Sequence, residues 1–533
     1  MNPSGYRQPQ TYYDAVEPYL KHGDRSGNRQ YLAHLLQTWS PQIDPDTDIG
    51  WAVHWAIFKG DETAVRMMMD AGVSPTVRDT QDPGFTPLLA ASQYGRLEIA
   101  RLLWEVVGPE GRFLPNKRNR TGPSCLLVAA RNGHADLTAY FLDVWDGWDD
   151  EEKRRALRDA AWAWCDDTVA VLLDDSRISY EPDVIQDALE RAVGNRMILP
   201  EHETKPCPTA EDTVRHQRLV HRLIDAGANP DGEDRHSRWP LIHIASLSRG
   251  RIGALRGLLE KGADPNRQDR HGKTSLHRLL GPFSSGRPDI ITLQALLRHG
   301  ALPELADEAG ETPLHAIAER GSYEQLQLCL SHCRASDSES IQLRNSHGES
   351  LLHYAAAGGK NEAIEFLLHS GLDVNVASSN GWTPLMCALA PTAGKSTHCM
   401  CQTANSLLQH GASACVVTDE RWSSLHALAS WPVAQNPEAR PEVAGLARKL
   451  ISGGAPTDIK SRVIRSPSTT ASILSDVWGF RMRAFVENVG ESVQDLGQAE
   501  NTSPLTWARR CNAADVVDVL TAYSASTSGD GAR

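Results

Sequence analysis

An all-α solenoid of repeated two-helix units is predicted by three observations. First, the stretch Gly310-Glu-Thr-Pro-Leu-His-Ala-Ile-Ala-Glu-Arg-Gly321 carries the signals of a tight turn followed by a short helix. Second, its opening recurs as Thr274-Ser-Leu-His277, Thr312-Pro-Leu-His315, Ser350-Leu-Leu-His353, Thr383-Pro-Leu-Met386 and Ser424-Leu-His426, with Trp51-Ala-Val-His54 and Thr86-Pro-Leu-Leu89 before them and Ser503-Pro-Leu-Thr506 after. Third, the spacing is regular, since 315 − 277 = 38 and 353 − 315 = 38. Self-similarity at a fixed period of roughly 20 to 50 residues marks an array in which each unit packs on its neighbours.

Each residue type in the opening stretch has a physical task. Gly310 can take the positive φ of a tight turn. Thr312 can cap a helix, and Pro313 fits the first helical position, where no backbone donor is needed. Leu314 and Ile317 begin an apolar stripe, and Ala318 lets a neighbouring helix approach. Gly321 is expected to end the helix in a left-handed conformation, and Leu326 and Leu330 start a second apolar pattern. Unit endings agree with one another, as in Ala226-Gly-Ala-Asn-Pro230, Glu260-Lys-Gly-Ala-Asp-Pro-Asn266 and Ser370-Gly-Leu-Asp-Val-Asn375. With these motifs the chain resembles the ankyrin-repeat family, whose unit is a turn plus two antiparallel helices of about 33 residues. The resemblance implies an ankyrin-repeat solenoid of about 12–13 helix-turn-helix units with β-turn fingers, and a concave face built from turns and first helices.

Along the chain, residues 1–48 read as a disordered start and a helical N-terminal cap, with Leu32, Leu35 and Leu36 at helical spacing. Residues 49–180 hold repeats 1–4, and 181–233 a degenerate repeat with a loop from about Asn195 to Asp212. Residues 234–459 hold repeats 6–11. Residues 460–523 hold a degraded unit near Ile473–Val486 and a capping repeat closed by Val516, Val517, Val519 and Leu520. The small, polar stretch 524–533 reads as a disordered tail.

Bulk properties narrow the function. A net charge of −13 argues against a general nucleic-acid binder. There is no apolar run of about 18 residues to span a membrane, and residues 1–30 lack the apolar segment of a signal peptide. Ten cysteines without a framework read as reduced thiols, so a cytoplasmic or nuclear monomer is expected. Tryptophan, with 14 residues against 8 Phe, is over-represented and is a residue favoured at binding hot spots.

Catalytic readings are weak. His54, His243, His277, His315, His353 and His426 recur at one repeat position, and a single active site does not need six equivalent bases. The resemblance implies instead that this imidazole bridges backbone groups of adjacent turns. Gly394-Lys395-Ser396 ends like a phosphate-binding loop, but Leu389 stands where its first glycine belongs. His398, Cys399 and Cys401, with Cys387 and Cys415 nearby, are soft ligands lacking a paired C-x-x-C pattern. Cys329 and Cys333 read as core. No enzyme signature appears, and neither a catalytic role nor a cofactor or metal is expected.

Surface residues remain. Placing Leu314 and Ala318 in the core puts Ala316, Glu319 and Arg320 on the other side of their helix. The same register puts Trp55, Phe58, Tyr94, Arg131 and Tyr354 on an open face. A line of exposed aromatics suggests docking, against the competing reading that the N-terminal cap covers Trp55 and Phe58. Turn tips carry Lys117, Arg118 and Arg120, then Arg235, His236 and Arg238, then Arg267, Arg270, His271 and Lys273. Of these, Arg235, Arg238, Arg270 and Lys273 are candidate contacts for an acidic partner segment, although turns commonly carry solvated charge. Trp145 and Trp148 are expected to pack with Trp162 and Trp164, and Trp239, Trp382 and Trp422 to brace turns.

The sequence therefore predicts a non-catalytic scaffold or adaptor that binds partner proteins, and neither nucleic acid nor membrane. One alternative is a substrate-recognition subunit of a ubiquitin ligase, recruiting the ligase through the first fifty residues. Another is an enzyme or metal-binding protein using the 387–415 insertion.

Overall fold

The computed structural model describes residues 48–77, 86–109, 124–194, 209–247, 249–280, 289–390, 396–419, 421–429, 440–461, 502–511 and 513–529. The expected N-terminal cap, the turn cations Lys117, Arg118 and Arg120, Lys395 of the Gly394-Lys395-Ser396 run and the degraded repeat near Ile473–Val486 lie outside these residues. Two compact units emerge: Met1–Ser237 with Gly253–Ala263, and Arg238–Ile252 with Asp264–Arg533.

In the first unit, helices come in pairs: Asp48–Lys59 with Glu62–Asp70, Pro87–Tyr94 with Leu97–Val107, Cys125–Arg131 with Ala135–Val144, Asp150–Trp162 with Asp166–Asp174, and Pro182–Gly194 with Ala210–Asp225. Each first helix packs on the first helix of the next pair, and each second helix on the next second helix, giving two layers. Residues 253–260 add a further helical segment. A Cβ on Gly253 would come within 2.4 Å of the Thr213 carbonyl, and one on Gly257 within 2.9 Å of Val220. Glycine is therefore what lets that segment lie against the helix Ala210–Asp225.

The second unit opens with the helix Leu241–Ser246 and continues through Ser275–Leu280 with Ile290–Arg298, Pro313–Arg320 with Tyr323–Leu330, and Leu351–Gly358 with Asn361–His369. Pro384–Leu389 with Thr397–Gln409, Ser424–Ala429 with Arg440–Ser452, and Pro504–Arg510 with Ala514–Gly529 follow. Leu314, Leu326, Leu351, Leu352, Ile364 and Leu367 are all fully buried between the layers. Each such side chain contributes about 1.5–3 kcal/mol. Among the described residues there is no β-strand, only isolated bridges such as Arg344 to Ser350 and Val417 to Ser423.

Helix starts follow from the recurring opening. Thr86, Ser124 and Thr383 accept the amides of Leu89, Leu127 and Met386 at 3.4, 3.4 and 3.5 Å. Gly310 takes φ +72°, and a Cβ there would meet the Ser346 amide at 2.8 Å, so the turn needs glycine twice over. Three expectations change. Gly321 is extended, at φ −70° and ψ 177°, because its job is close approach: a Cβ would lie 2.4 Å from Ile317. The helix beginning at Ala210, capped by Thr209, shortens the loop expected to reach Asp212. The last helix runs to Gly529, so helix occupies the start of the expected tail.

Candidate partner-binding surfaces

The histidines are structural in geometry. In the second unit His277 Nδ1 accepts the Thr274 amide at 3.0 Å and lies 2.9 Å from the Thr274 hydroxyl. Its Nε2–H donates to the Glu311 carbonyl of the next turn at 3.0 Å. His353 repeats this from Ser350 to the Trp382 carbonyl, and His426 from Ser423 to the Thr502 carbonyl, each pair of contacts within 3.2 Å. His315 accepts the Thr312 amide at 3.2 Å, and His243 donates to the Arg267 carbonyl at 2.8 Å. One ring nitrogen accepting and the other donating defines a neutral imidazole. Burial holds all five down to about 4 from the ordinary 6.5. His277, His353 and His426 are thus engaged at both ring nitrogens, whereas His243 Nδ1 and His315 Nε2 are buried without a hydrogen-bond partner among the described residues.

Side-by-side packing of first helices also overturns part of the predicted open face. Ala316 and Glu319 are buried, and Arg320 is half-buried with Nε 3.5 Å from Glu319. Tyr354 is not on an open face at all. It is 0% exposed, donates its hydroxyl to Glu311 at 2.5 Å, receives Asn345 Nδ2 at 3.1 Å and meets His315 edge-on at 5.0 Å. Burial, then the neighbouring Glu311 carboxylate, pushes its phenol well above the usual range. The position after the histidine points between adjacent first helices, so its side chain is core wherever helices flank it on both sides.

The first unit differs. Phe58 and Tyr94 are 41% and 38% exposed, and their rings meet edge-on at 5.1 Å across two successive first helices. Trp55 is half-buried and lies 5.4 Å from Phe58. Lys59, absent from the candidate residues above, holds its Nζ 5.1 Å from the Trp55 ring and 5.5 Å from Phe58. The signal available was its place one residue after Phe58, at the helix end. Exposed Arg131 sits 5.2 Å from the Trp162 ring. The structure thus brings together Trp55, Phe58, Tyr94 and Lys59.

Among the turn cations, two are engaged within the fold. Arg235 bonds buried Glu190 at 3.3 Å and the Asp183 carbonyl at 2.9 Å. Burial raises Glu190 above its ordinary value. Lys273 lies 3.7 Å from buried Asp307. Exposed Arg238 and Arg270 have no carboxylate partner among the described residues, and Arg270 meets only His271, at 3.1 Å. Arg238 has φ +60°.

The tryptophan pairing also differs from expectation. Trp145 and Trp148 cluster with Trp104 and Phe141, Trp148 donating to the Phe141 carbonyl at 2.8 Å. Trp164 instead stacks on His216 at 3.9 Å, and Trp162 faces Arg131. The loop after the helix Ala135–Val144 folds back so that its Trp rings meet second helices, Trp104 in the preceding repeat and Phe141 in its own. Trp239 lies under Arg278 at 4.1 Å, and Trp422 packs between His426 and Trp507. Ser396 caps the helix Thr397–Gln409 by accepting the Cys399 amide at 3.1 Å. Cys399 and Cys415 direct their sulfurs to the separate carbonyls of Gly359 and Gly453, and no three potential metal ligands cluster among the described residues. No helix among the described residues is long and apolar enough to cross a membrane.

Residues 284–378, 333–418 and 352–438 match the family model described as ankyrin repeats (3 copies). Residues 284–438 thus carry ankyrin repeats. The human "Photoreceptor ankyrin repeat protein" is 31% identical over 100 residues, which is 18% of this chain and 21% of that relative. The match therefore spans about a fifth of the relative's length. A solved ankyrin repeat domain, that of Bcl-3, titled a unique member of the IkappaB protein family, aligns with TM-score 0.31 at 21% identity. That alignment covers 52% of this chain and 97% of the other. Ankyrin repeats mediate protein–protein interaction in general.

Proposed function

We propose that this ankyrin-repeat chain is a non-catalytic adaptor that binds a partner protein through the first-helix surface of its first unit. The observation that supports this most is the contact between the exposed rings of Phe58 and Tyr94, on successive helices, with Lys59 beside them. Rigid aromatic rings held by helices bind with little ordering cost and make effective anchors. Lys59 favours a partner segment in which an apolar side chain is followed by an acid. Cytoplasm or nucleus and a monomeric state accord with this reading.

The test compares the full chain with the double variant Phe58→Ser/Tyr94→Ser as affinity baits. Both should have the same melting temperature, since neither ring is core. A protein retained by the parent and lost by the variant is expected. An identical set of retained proteins would remove this surface from the account.

A further inference from the structure

Four turns of the second unit share one construction. Gly272, Gly310, Gly348 and Gly381 all have positive φ, between +72° and +79°. A Cβ at any of them would approach the following turn: 2.8 Å from the Glu308 amide, 2.8 Å from Ser346, 3.0 Å from Ser379 and 3.1 Å from Thr418. The turns are also stitched together, the amides of Glu308, Ser346, Ser379 and Asp419 donating to the carbonyls of His271, Ala309, His347 and Asn380 at 2.8 to 3.2 Å. Glycine there serves both conformation and contact.

Two arginines occupy the same position, five residues before the repeated histidine. Arg238 and Arg421 adopt φ +60° and +63°, conformations that a non-glycine residue holds only at a cost in strain. Each precedes a tryptophan. Both side chains are exposed and make no ion pair or hydrogen bond among the described residues. Their surroundings differ. Arg421 follows Asp419 by two residues. Arg238 adjoins Trp239, whose ring carries Arg278 at 4.1 Å, and Arg278 in turn binds Asp269, the residue before Arg270. Burial alone would raise Asp269, but Arg278 and the amides of His271 and Lys273 outweigh it and hold the carboxylate below its ordinary value. That acid is fully engaged. Arg238 and Arg270 therefore flank one contact, both exposed and both without a carboxylate.

We infer that Arg238 and Arg270 form an anchor for a carboxylate-rich peptide segment of a partner protein. Two exposed guanidinium groups, linked through Trp239, Arg278 and Asp269 and neither engaged by a carboxylate among the described residues, offer the charge-assisted donors that a carboxylate-rich segment takes. This anchor belongs to the second unit and does not depend on the aromatic surface of the first, so either proposal can fail alone.

The probe is a fluorescent peptide of eight glutamates, with an eight-glutamine peptide and a single-stranded DNA of equal length as controls, titrated against the full chain. Arg238→Gly should keep or raise the melting temperature and weaken glutamate-peptide binding. With Arg270→Gln added, the loss should reach about tenfold. Arg421→Gly, which relieves the same strain, should leave binding unchanged. Equal loss in Arg421→Gly would reduce the effect to net charge and overturn the assignment. So would unchanged binding in the double variant, tighter binding of the DNA than of the peptide, or a fall in melting temperature for Arg238→Gly. Phe58→Ser/Tyr94→Ser should bind the peptide as the parent does.

Discussion

Trp55 and Tyr354 occupy the same repeat position, the residue after the recurring histidine, and meet opposite fates. Tyr354 lies between first helices and is sealed into a network with Glu311 and Asn345. Trp55 belongs to the first described pair, is half-buried, and leads through Phe58 to Tyr94 along an exposed aromatic path. The lesson is that register alone does not decide exposure in a stacked array. The side chains that meet the position do: Tyr354 bonds Glu311 and Asn345, whereas Trp55 meets Phe58 and Lys59.

The two regions also differ in chemistry, and the largest expected effect tests that difference. The second unit carries the five buried neutral histidines held down to about 4. Their unfolded value is near 6.5, so the unfolded chain takes up more protons between the two values. Stability is complete above about pH 6.5 and is lost as pH falls through that window toward 4. At pH 5.5 each histidine costs on the order of 1 kcal/mol, or roughly 5 kcal/mol across the five. Hydrogen exchange at pH 7.4 and 5.5, corrected for intrinsic rates, should show the second unit losing protection and the first, at Pro87–Tyr94 and Cys125–Arg131, keeping more of it. Equal loss in both would erase the contrast.

Next in size is the core tyrosine. Tyr354→Ala should cost about 3–5 kcal/mol by chemical denaturation, and Tyr354→Phe about 1–3 kcal/mol, because Glu311 loses a buried donor. Phe58→Ala should stay within about 0.5 kcal/mol of the parent. Reversal of that order would mean that the open and sealed assignments are exchanged.

Smaller effects sharpen the same boundary. Gly310→Ala should cost about 1–3 kcal/mol, since its φ is left-handed and the added methyl meets the Ser346 backbone. Arg235→Ala should cost about 1–2 kcal/mol, discounted because the arginine is half-exposed, by leaving Glu190 buried alone. Arg238→Ala should cost nothing measurable. A denaturant series on these variants separates turn cations that serve the fold from those left for a ligand.

Much of the fold was legible because the signals are local. A Thr-Pro-Leu opening and a left-handed glycine specify a turn and a helix start without reference to the rest of the chain, and Thr86, Thr383 and Gly310 behave accordingly. Gly321 shows the limit, since its role depends on the distance to Ile317 and not on its own φ. The surface was half legible. Phe58 and Tyr94 are exposed, but Tyr354, Ala316 and Glu319 were placed outward by a helix considered alone, and a flanking helix covers them. Arg235 and Lys273 look free in sequence because Glu190 and Asp307 stand 45 and 34 residues away, and only folding brings them together. Trp164 likewise stands 216 − 164 = 52 residues from its stacking neighbour His216.

The central claim, that the aromatic path of the first unit is a docking surface for another protein, meets its most direct test in site-specific photo-crosslinking. A benzophenone amino acid placed at Phe58 in the full chain, with a second version at Tyr354 as the buried control, would be irradiated in cells and the products identified by mass spectrometry. The account predicts an intermolecular adduct to a discrete partner from position 58 and none from position 354. An adduct from position 58 to residues 1–47 of the same chain, with no partner captured, would contradict it.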